Sequence, residues 1–253
     1  MATRNSMRKL LWPIKRFVQE ARTKLTKLRY LLMKPHIGID DWLIKSEIAY
    51  GGFVTSVARQ KVSPLDRRSA EELRVGGMTG GDRMLHHGYA GTYARYLSPY
   101  LDMTTLTIAE FGILKGTGLA IWCDLFPKAR VLGFDIDLGH FESNKFALLQ
   151  RGAFKENTPK LHHYDQLVDG SRRLADVLCG RTFDIVIDDG LHSLESIVMT
   201  WRSVRPHLSS RFVYFIEDHQ DLLGKCGAEF SGFDARSYGM ITVISAGSSS
   251  PRK

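Results

Sequence analysis

The stretch LTIAEFGILKGTG, residues 106–118, decides the architecture. It opens with an apolar run, Leu106 to Phe111, turns at Gly112, and passes Gly116 and Gly118 into a helix-compatible segment ending at Leu125. A strand feeding a glycine turn and then a helix is half of a crossover unit, and the pattern recurs toward the C-terminus. Further strands are expected at Arg130–Phe134, Lys160–Tyr164, Phe183–Ile187 and Phe212–Ile216, with helices at Gly118–Leu125, Phe141–Arg151, Ser171–Leu178 and Leu194–Pro206. Parallel neighbours need long connections that cover a face, so this alternation predicts an α/β fold with a doubly wound, mostly parallel sheet. Ala228–Phe233 and Met240–Ser245, on either side of Asp234–Gly239, predict a C-terminal antiparallel hairpin.

Upstream the pattern is helical. Asp40 and Asp41 read as caps of a helix running through Ile48. Ser63-Pro64, Glu71-Glu72 and Gly76-Gly77 mark a short helix, and Asp82–Leu97 a longer one carrying His86, His87, Tyr89, Tyr93 and Tyr96. Nothing between Gly38 and Val75 suggests chemistry. The expected organisation is a basic amphipathic helix over 1–34, a helical segment over 35–99, the ligand-binding α/β domain over 100–247 and a disordered tail over 248–253.

With 253 residues, 43% hydrophobic and 25% charged, the composition is globular and excludes disorder for most of the chain. No run of 18 apolar residues occurs, and the first apolar run, Leu10 to Ile14, is broken by Pro13, so neither a spanning helix nor a secretory signal is expected. Cys123, Cys179 and Cys226 are odd in number and lie far apart, which argues against a disulfide framework and for a reducing cytoplasm.

The net charge of +8 is local. Met1 to Lys34 hold ten Lys/Arg against Glu20 alone, while the remaining residues hold 25 basic against 26 acidic. A whole-protein nucleic-acid argument therefore fails, and no specific nucleic acid is expected as a partner. Leu10, Leu11, Ile14, Phe17, Val18, Ala21, Leu25, Leu28, Leu31 and Leu32 form a stripe at helical spacing. Such a stripe fits a helix packed on its own domain or on a second copy in a homo-oligomer. It fits, as a second reading, a helix on an anionic membrane surface with Trp12 at the interface, peripheral to the inner membrane. An organellar presequence and RNA contact are further readings.

Ligands of doubly wound sheets sit at the carboxyl ends of the strands. The first strand ends in Glu110-Phe111-Gly112, where small residues admit a close ligand, but the spacing is not G-x-G-x-x-G. An acid two residues before the first glycine suits a cationic, amino-acid-bearing ligand such as S-adenosylmethionine. Asp135, with Asp137 after it, ends the second strand, where a carboxylate can accept both ribose hydroxyl protons; Asp165 and Gln166 follow the third, placed to meet an adenine amino group. Each acid alone reads as a turn or cap residue, and their coincidence at three strand ends points to a nucleoside site. Asp188-Asp189-Gly190-Leu191-His192 follows the fourth strand and Glu217-Asp218-His219 the fifth. Neighbouring strands lie about 4.8 Å apart, so these acids crowd at one rim and call for a neutralising cation. An oxygen-rich set suits Mg²⁺. His86, His87, His162, His163 and His219 read as structural.

Taken jointly, Gly-Gly-Asp-Arg-x-x-x-His-x-Tyr (80–89), Glu-Phe-Gly-x-x-x-Gly-x-Gly (110–118), Leu-Phe-Pro-x-Ala-x-Val-x-Gly-Phe-Asp (125–135), Asp165-Gln166, Asp-Asp-Gly-x-His (188–192) and Ile-Glu-Asp (216–218) resemble class I S-adenosylmethionine methyltransferases. The resemblance is nearest to the metal-dependent sugar O-methyltransferases of macrolide and related glycoside biosynthesis, which share a fold with cephalosporin-hydroxylase-like proteins. It implies a Rossmann-like sheet, a sugar or glycoside acceptor, S-adenosyl-L-methionine and Mg²⁺ as cofactors, Asp189, Glu217 and Asp218 as metal ligands, and His192 as general base. Glu110, Gly112, Asp135, Asp165 and Gln166 would hold the cofactor, with Gly116, Asp188, His87 and Tyr89 completing its surroundings. The N-terminal part departs from those enzymes and the segment after Asp218 is short, so the acceptor does not transfer. Alternatives are a methyltransferase of another vicinal diol, a cephalosporin-hydroxylase-like oxidoreductase and a non-catalytic nucleoside-binding protein.

Overall fold

The structure is a computed structural model and describes residues 21, 24, 25, 28–30, 32, 38–52, 61, 63–70 and 81–246. The expected tail at 248–253, the helix marked by Glu71-Glu72 and most of the 1–34 stripe lie outside these residues.

Seven strands form one sheet: β1 (Thr107–Phe111), β2 (Arg130–Asp135), β3 (Lys160–His163), β4 (Phe183–Asp188), β5 (Leu208–Ile216), β6 (Asp234–Tyr238) and β7 (Ile241–Ser245), in the order β3-β2-β1-β4-β5-β7-β6. The first five pair in parallel, and β7 pairs antiparallel with both β5 and β6. Order reverses between β1 and β4, so a crevice opens at their carboxyl ends. Register sets that rim level: Phe111 faces Asp188 across β1 and β4, and Asp188 faces Ile216 across β4 and β5.

The helices are α1 (Ile39–Ala49), α2 (Ala90–Leu97), α3 (Thr117–Leu125), α4 (Gly139–Gln150), α5 (Ser171–Leu178), α6 (Leu194–Val204) and α7 (Leu222–Cys226). Strand alternation sends Ile108 and Ile185 to one face, where Leu43, Tyr93, Leu119 and Trp122 cover them. Ala109 and Val186 point to the other, under Leu174, Ile197 and Trp201. The helices ahead of the sheet are thus part of the first core layer.

Three expectations are corrected. The outer hairpin strand is Asp234–Tyr238, not Ala228–Phe233, and the chain reverses at Gly239-Met240. Residues Gly227–Phe230 form a 3₁₀ turn instead, because Phe230 is buried against Trp201, whose indole N–H donates to the Glu229 carbonyl. The helix expected over Asp82–Leu97 starts only at Ala90. Residues 82–88 form turns because the Met84 and Leu85 amides donate to the buried Glu47 carboxylate, at 2.8 and 3.2 Å, and not to a preceding helical turn. Asp40 and Asp41 lie in the first turn of α1 without capping it by side-chain bonds, and favour it through the helix dipole.

Candidate functional site

At the β1 end the chain must pass tightly beside β4. Gly112 has φ 86°, and a Cβ there would sit 2.2 Å from the Asp189 carbonyl oxygen, so only glycine fits. The following amides of Ile113 and Leu114 donate to Asp135 Oδ2 at 2.8 and 3.0 Å, and the Asp137 amide donates to Oδ1 at 3.0 Å. Asp135 thereby locks the glycine turn to β2 while keeping a lone pair of Oδ1 free. Gly116 serves packing: a Cβ there would press within 2.3 Å of Phe141.

Beside Asp135 lies a cavity of about 90 Å³. Leu114, Ile136, Leu167 and Leu191 give it apolar walls; Gly112, Asp135, Asp165, Gln166 and His140 supply polar edges, and residues 65–68 approach from outside the sheet. Arg67 meets Asp165 Oδ2 at 2.7 Å over the cavity. His140 Nε2 is buried with no hydrogen-bond partner. Gln166 spans two strand ends, its amide donating to Asp188 Oδ1 at 2.6 Å and to Thr200 Oγ1 while its carbonyl accepts the Leu191 amide. Asp188 is buried and also accepts from the Tyr214 hydroxyl; burial, opposed by the Gln166 bond, pushes its carboxyl up to about 7. It supports the rim and does not line the cavity.

The second cluster is built around a residue to which the sequence assigned no role. Arg83 is buried and reaches three carboxylates: Nη2 lies 2.7 Å from Glu110 Oε1 and 2.6 Å from Asp189 Oδ2, and Nε lies 2.8 Å from Glu217 Oε1. Burial pulls its pKa down, but Glu217, Glu110 and Asp189 hold it well above the ordinary value. Glu110 also accepts from the Trp122 indole, and burial lifts its carboxyl to about 7 against the pull of Arg83. Glu217 accepts from the Tyr93 hydroxyl, and burial raises it too.

The structure therefore separates residues expected to act together. Glu110, expected at a cofactor's amino group, is committed to Arg83 and Trp122 and does not line the cavity. Glu217, expected as a metal ligand, is 1% exposed and committed to Arg83 and Tyr93. Asp189, His192 and Asp218 do come together: one ligand atom from each lies within 4.8 Å of the others, and all three are half-buried. His192 Nε2 is 3.7 Å from Asp189 Oδ1. Burial raises the Asp189 carboxyl, opposed first by Arg83. His192 and Asp218 both have left-handed backbone, φ 61° and 55°, a conformation costly for residues with a Cβ and concentrated at functional sites. Ser193 then caps α6, its Oγ accepting the Ser196 amide, which fixes where the chain enters the helix just after His192.

His87 and Tyr89, expected near the cofactor, flank Asp218 instead. The Tyr89 hydroxyl donates to Asp218 Oδ1 at 2.7 Å, and His87 Nδ1 lies 3.8 Å from the same oxygen. His87 stacks on Tyr89, and its hydrogen bond to Asp82 raises its pKa. Burial, then Asp218, raises Tyr89. Sequence reasoning missed Arg83, Tyr93, Glu47 and Arg67; the only signal was Arg83 inside the Gly-Gly-Asp-Arg motif.

No family model matches the chain. L-olivosyl-oleandolide 3-O-methyltransferase of Streptomyces antibioticus is 28% identical over 176 residues, covering 65% of this chain and 39% of its own length. The 8-demethyl-8-alpha-L-rhamnosyl tetracenomycin-C 2'-O-methyltransferase of Streptomyces olivaceus is 28% identical over 151 residues, covering 56% and 35%. The chain spans under half the length of these curated relatives. Among solved structures, the MycE methyltransferase from the mycinamycin biosynthetic pathway, in complex with Mg and SAH, superposes with a TM-score of 0.49 at 18% identity, over 63% of this chain and 49% of its own.

Proposed function

We propose that this chain is an S-adenosyl-L-methionine-dependent O-methyltransferase that acts, with a divalent cation such as Mg²⁺, on a hydroxyl of a sugar or glycoside. One observation carries the reading: an apolar cavity edged by Asp135 opens on the same strand-end rim as the Asp189, His192 and Asp218 cluster. The sugar-modifying activities of the curated relatives support the choice of acceptor class.

The residues fit both groups. Asp135 Oδ1 has a lone pair left for a ribose hydroxyl, the leucine and isoleucine walls suit a purine, and buried His140 Nε2 lacks a partner that a polar ligand would provide. At the cluster, Arg83 is one positive charge against the acids Glu110, Asp189, Glu217 and Asp218, and a hard dication would offset most of the remainder. Cofactor and cation together supply an activated methyl group and a charge that favours alkoxide character on the acceptor.

The chain's own residues do the rest. Asp135 and the cavity walls orient the nucleoside, and Asp165 exchanges its Arg67 contact for the purine edge. Asp189 and Asp218 would hold the cation, and His192 would take the acceptor's hydroxyl proton. Positioning contributes about 7 to 11 kcal/mol of barrier reduction and the base roughly 10²- to 10⁴-fold. In this assignment the segment over 100–247 binds cofactor and the helical segment over 35–99 completes the site through Arg83.

The test is methyl transfer from labelled cofactor to a panel of glycosides, catechols and other diols. Glycoside methylation that stops with chelator, returns with Mg²⁺ and falls at least about 10²-fold in His192→Ala supports the reading. Transfer to catechols alone would move it to another vicinal diol, oxygen consumption to an oxidoreductase, and cofactor binding without turnover to a binding protein.

A second reading concerns where the chain works. Residues 21, 24, 25, 28–30 and 32 are helical; Tyr30 packs toward the core, while Leu25, Leu28 and Leu32 stand 67%, 53% and 76% exposed. We infer that this apolar stripe, in a segment with ten basic residues and one acid, rests on an anionic lipid surface on the cytoplasmic side. Pairing two copies through it would oppose two strongly positive segments. No helix of the described residues is long and apolar enough to cross a membrane.

A further inference from the structure

We propose that the outer edge of the sheet carries a site for a phosphate-type oxyanion, built by Lys160 and His162 of β3 and Arg173 of α5, with Arg130 of β2 as its support. None of these residues takes part in the proposed methyl transfer. Lys160 and His162 stand two apart on β3, so they leave the strand on one face, and the register pairs them with Leu132 and Phe134 of β2. That face is the one α5 covers with Leu174 and Leu178. Arg130, at the start of β2, donates through Nη1 and Nη2 to the Leu178 and Val177 carbonyls at 3.2 and 2.7 Å, which pins the end of α5 to the sheet. Arg173 lies one helical turn before Val177 on the same flank, so α5 brings it toward His162, whose imidazole feels its charge.

Three observations converge on an anion. His162 Nε2 is buried without a hydrogen-bond partner among the described residues, although its ring is held by stacking on Phe134, centroids 5.3 Å apart. Burial, then the charges of Arg130, Arg173 and Lys160, holds its pKa below the ordinary value, so the imidazole is uncharged at neutral pH. Lys160 and Arg173 are exposed and form no ion pair among the described residues. Positive groups gathered around one imidazole repel one another unless an anion joins them. Edge strands carry lysine to deter pairing with other chains, which accounts for Lys160; it leaves the arginine contributed by a helix and the buried nitrogen unexplained. A tetrahedral oxyanion has acceptors for all of them. The Arg173 fork takes two oxygens, the Lys160 ammonium a third, and His162 donates from Nε2. Phe134 also lines the cavity beside Asp135, so the two places share one wall but no polar residue.

The experiment titrates the full chain with inorganic phosphate by calorimetry in about 0.1 M chloride, where long-range charge effects are screened. The His162 imidazole nitrogens are followed by NMR, identified by their loss in His162→Phe, and circular dichroism checks folding. Lys160→Gln and Arg173→Gln should each weaken binding about tenfold or more, the worth of a charged hydrogen bond. His162→Phe, which keeps a ring on Phe134, should weaken it about two- to tenfold, and Arg172→Gln, exposed on the same helix, less than about twofold. The His162 Nε2 signal should move on saturation. Ribose 5-phosphate separates a phosphate ester from the free ion: whichever binds more tightly is the one the site serves, and both results support it. No saturable binding below about 20 mM phosphate overturns the proposal. So does an equal loss in Arg172→Gln and Arg173→Gln, the mark of a diffuse positive surface, or an unmoved Nε2 signal at saturation. If His162→Phe does not fold, the two exposed-residue variants Lys160→Gln and Arg173→Gln decide.

Discussion

Replacing Glu47 by Gln should change the pH dependence of stability in a direction fixed by its surroundings. Glu47 is 1% exposed and burial raises its pKa from 4.5 to about 7, against the lowering effect of the Met84 and Leu85 amides and the Arg83 charge. Between those values the folded chain holds a proton that the unfolded chain has released, so stability falls as pH rises from about 4.5 through 7. At about 1.36 kcal/mol per pKa unit, ionising Glu47 in the folded state costs about 3 kcal/mol, most of which appears between pH 5 and 8. Gln cannot titrate, and it satisfies one of the two amides, which adds a pH-independent loss of about 1 kcal/mol. Urea unfolding of both chains in chelator, at pH 5, 6, 7 and 8, should therefore show the native protein losing about 2 to 3 kcal/mol relative to Glu47→Gln across that range. A difference that stays constant with pH, or that grows in favour of the native chain, would refute the argument that Glu47 is buried at the cost of its charge.

Gly112→Ala should cost at least about 2 kcal/mol, because its Cβ meets the Asp189 carbonyl oxygen at 2.2 Å from a backbone with φ 86°; thermal unfolding close to that of the native chain would show that the turn can relax. Asp135→Asn should weaken S-adenosylhomocysteine binding about 10- to 100-fold by calorimetry, the worth of a charged hydrogen bond, while leaving Mn²⁺ affinity alone. Equal losses of both ligands would mean that the turn had collapsed. Serine at Leu25, Leu28 and Leu32 together should abolish sedimentation with phosphatidylglycerol-containing vesicles in low salt without affecting folding, since all three are exposed. A fall in mass by light scattering would assign the stripe to a second copy instead.

The doubly wound sheet was legible because four of its five parallel strands carry the same signal, an apolar run closed by an acid or a glycine; β3, Lys160–His163, is the exception. The hairpin was misplaced because Phe230 is apolar for packing on Trp201, whereas the true strand, Asp234–Tyr238, runs at the sheet edge with polar and charged residues that give no alternation. Edge strands are selected against looking like strands, so their sequences hide them. Residues 82–88 were read as helix because their spacing allows it; what prevents it is Glu47, over thirty residues earlier, and no local pattern encodes that contact.

The same distinction holds at the site. Acids at strand ends are visible because strand ends are visible, and Asp135, Asp165, Asp189 and Asp218 fall at the rim where the alternation puts them. What they do there depends on which partners burial supplies. Glu110 and Glu217 look like Asp189 and Asp218 in sequence, yet both lie almost entirely out of solvent with Arg83 between them, while Asp189 and Asp218 retain an open side. An ionised carboxylate buried without a countercharge is expensive, and Glu110 and Glu217 are buried beside Arg83. Arg83 is that countercharge for the inner acids, and the proposed exchangeable ion would be one for the outer pair. The segment ahead of the sheet thus contributes charge as well as packing, since it places Arg83 against the acids at the strand ends.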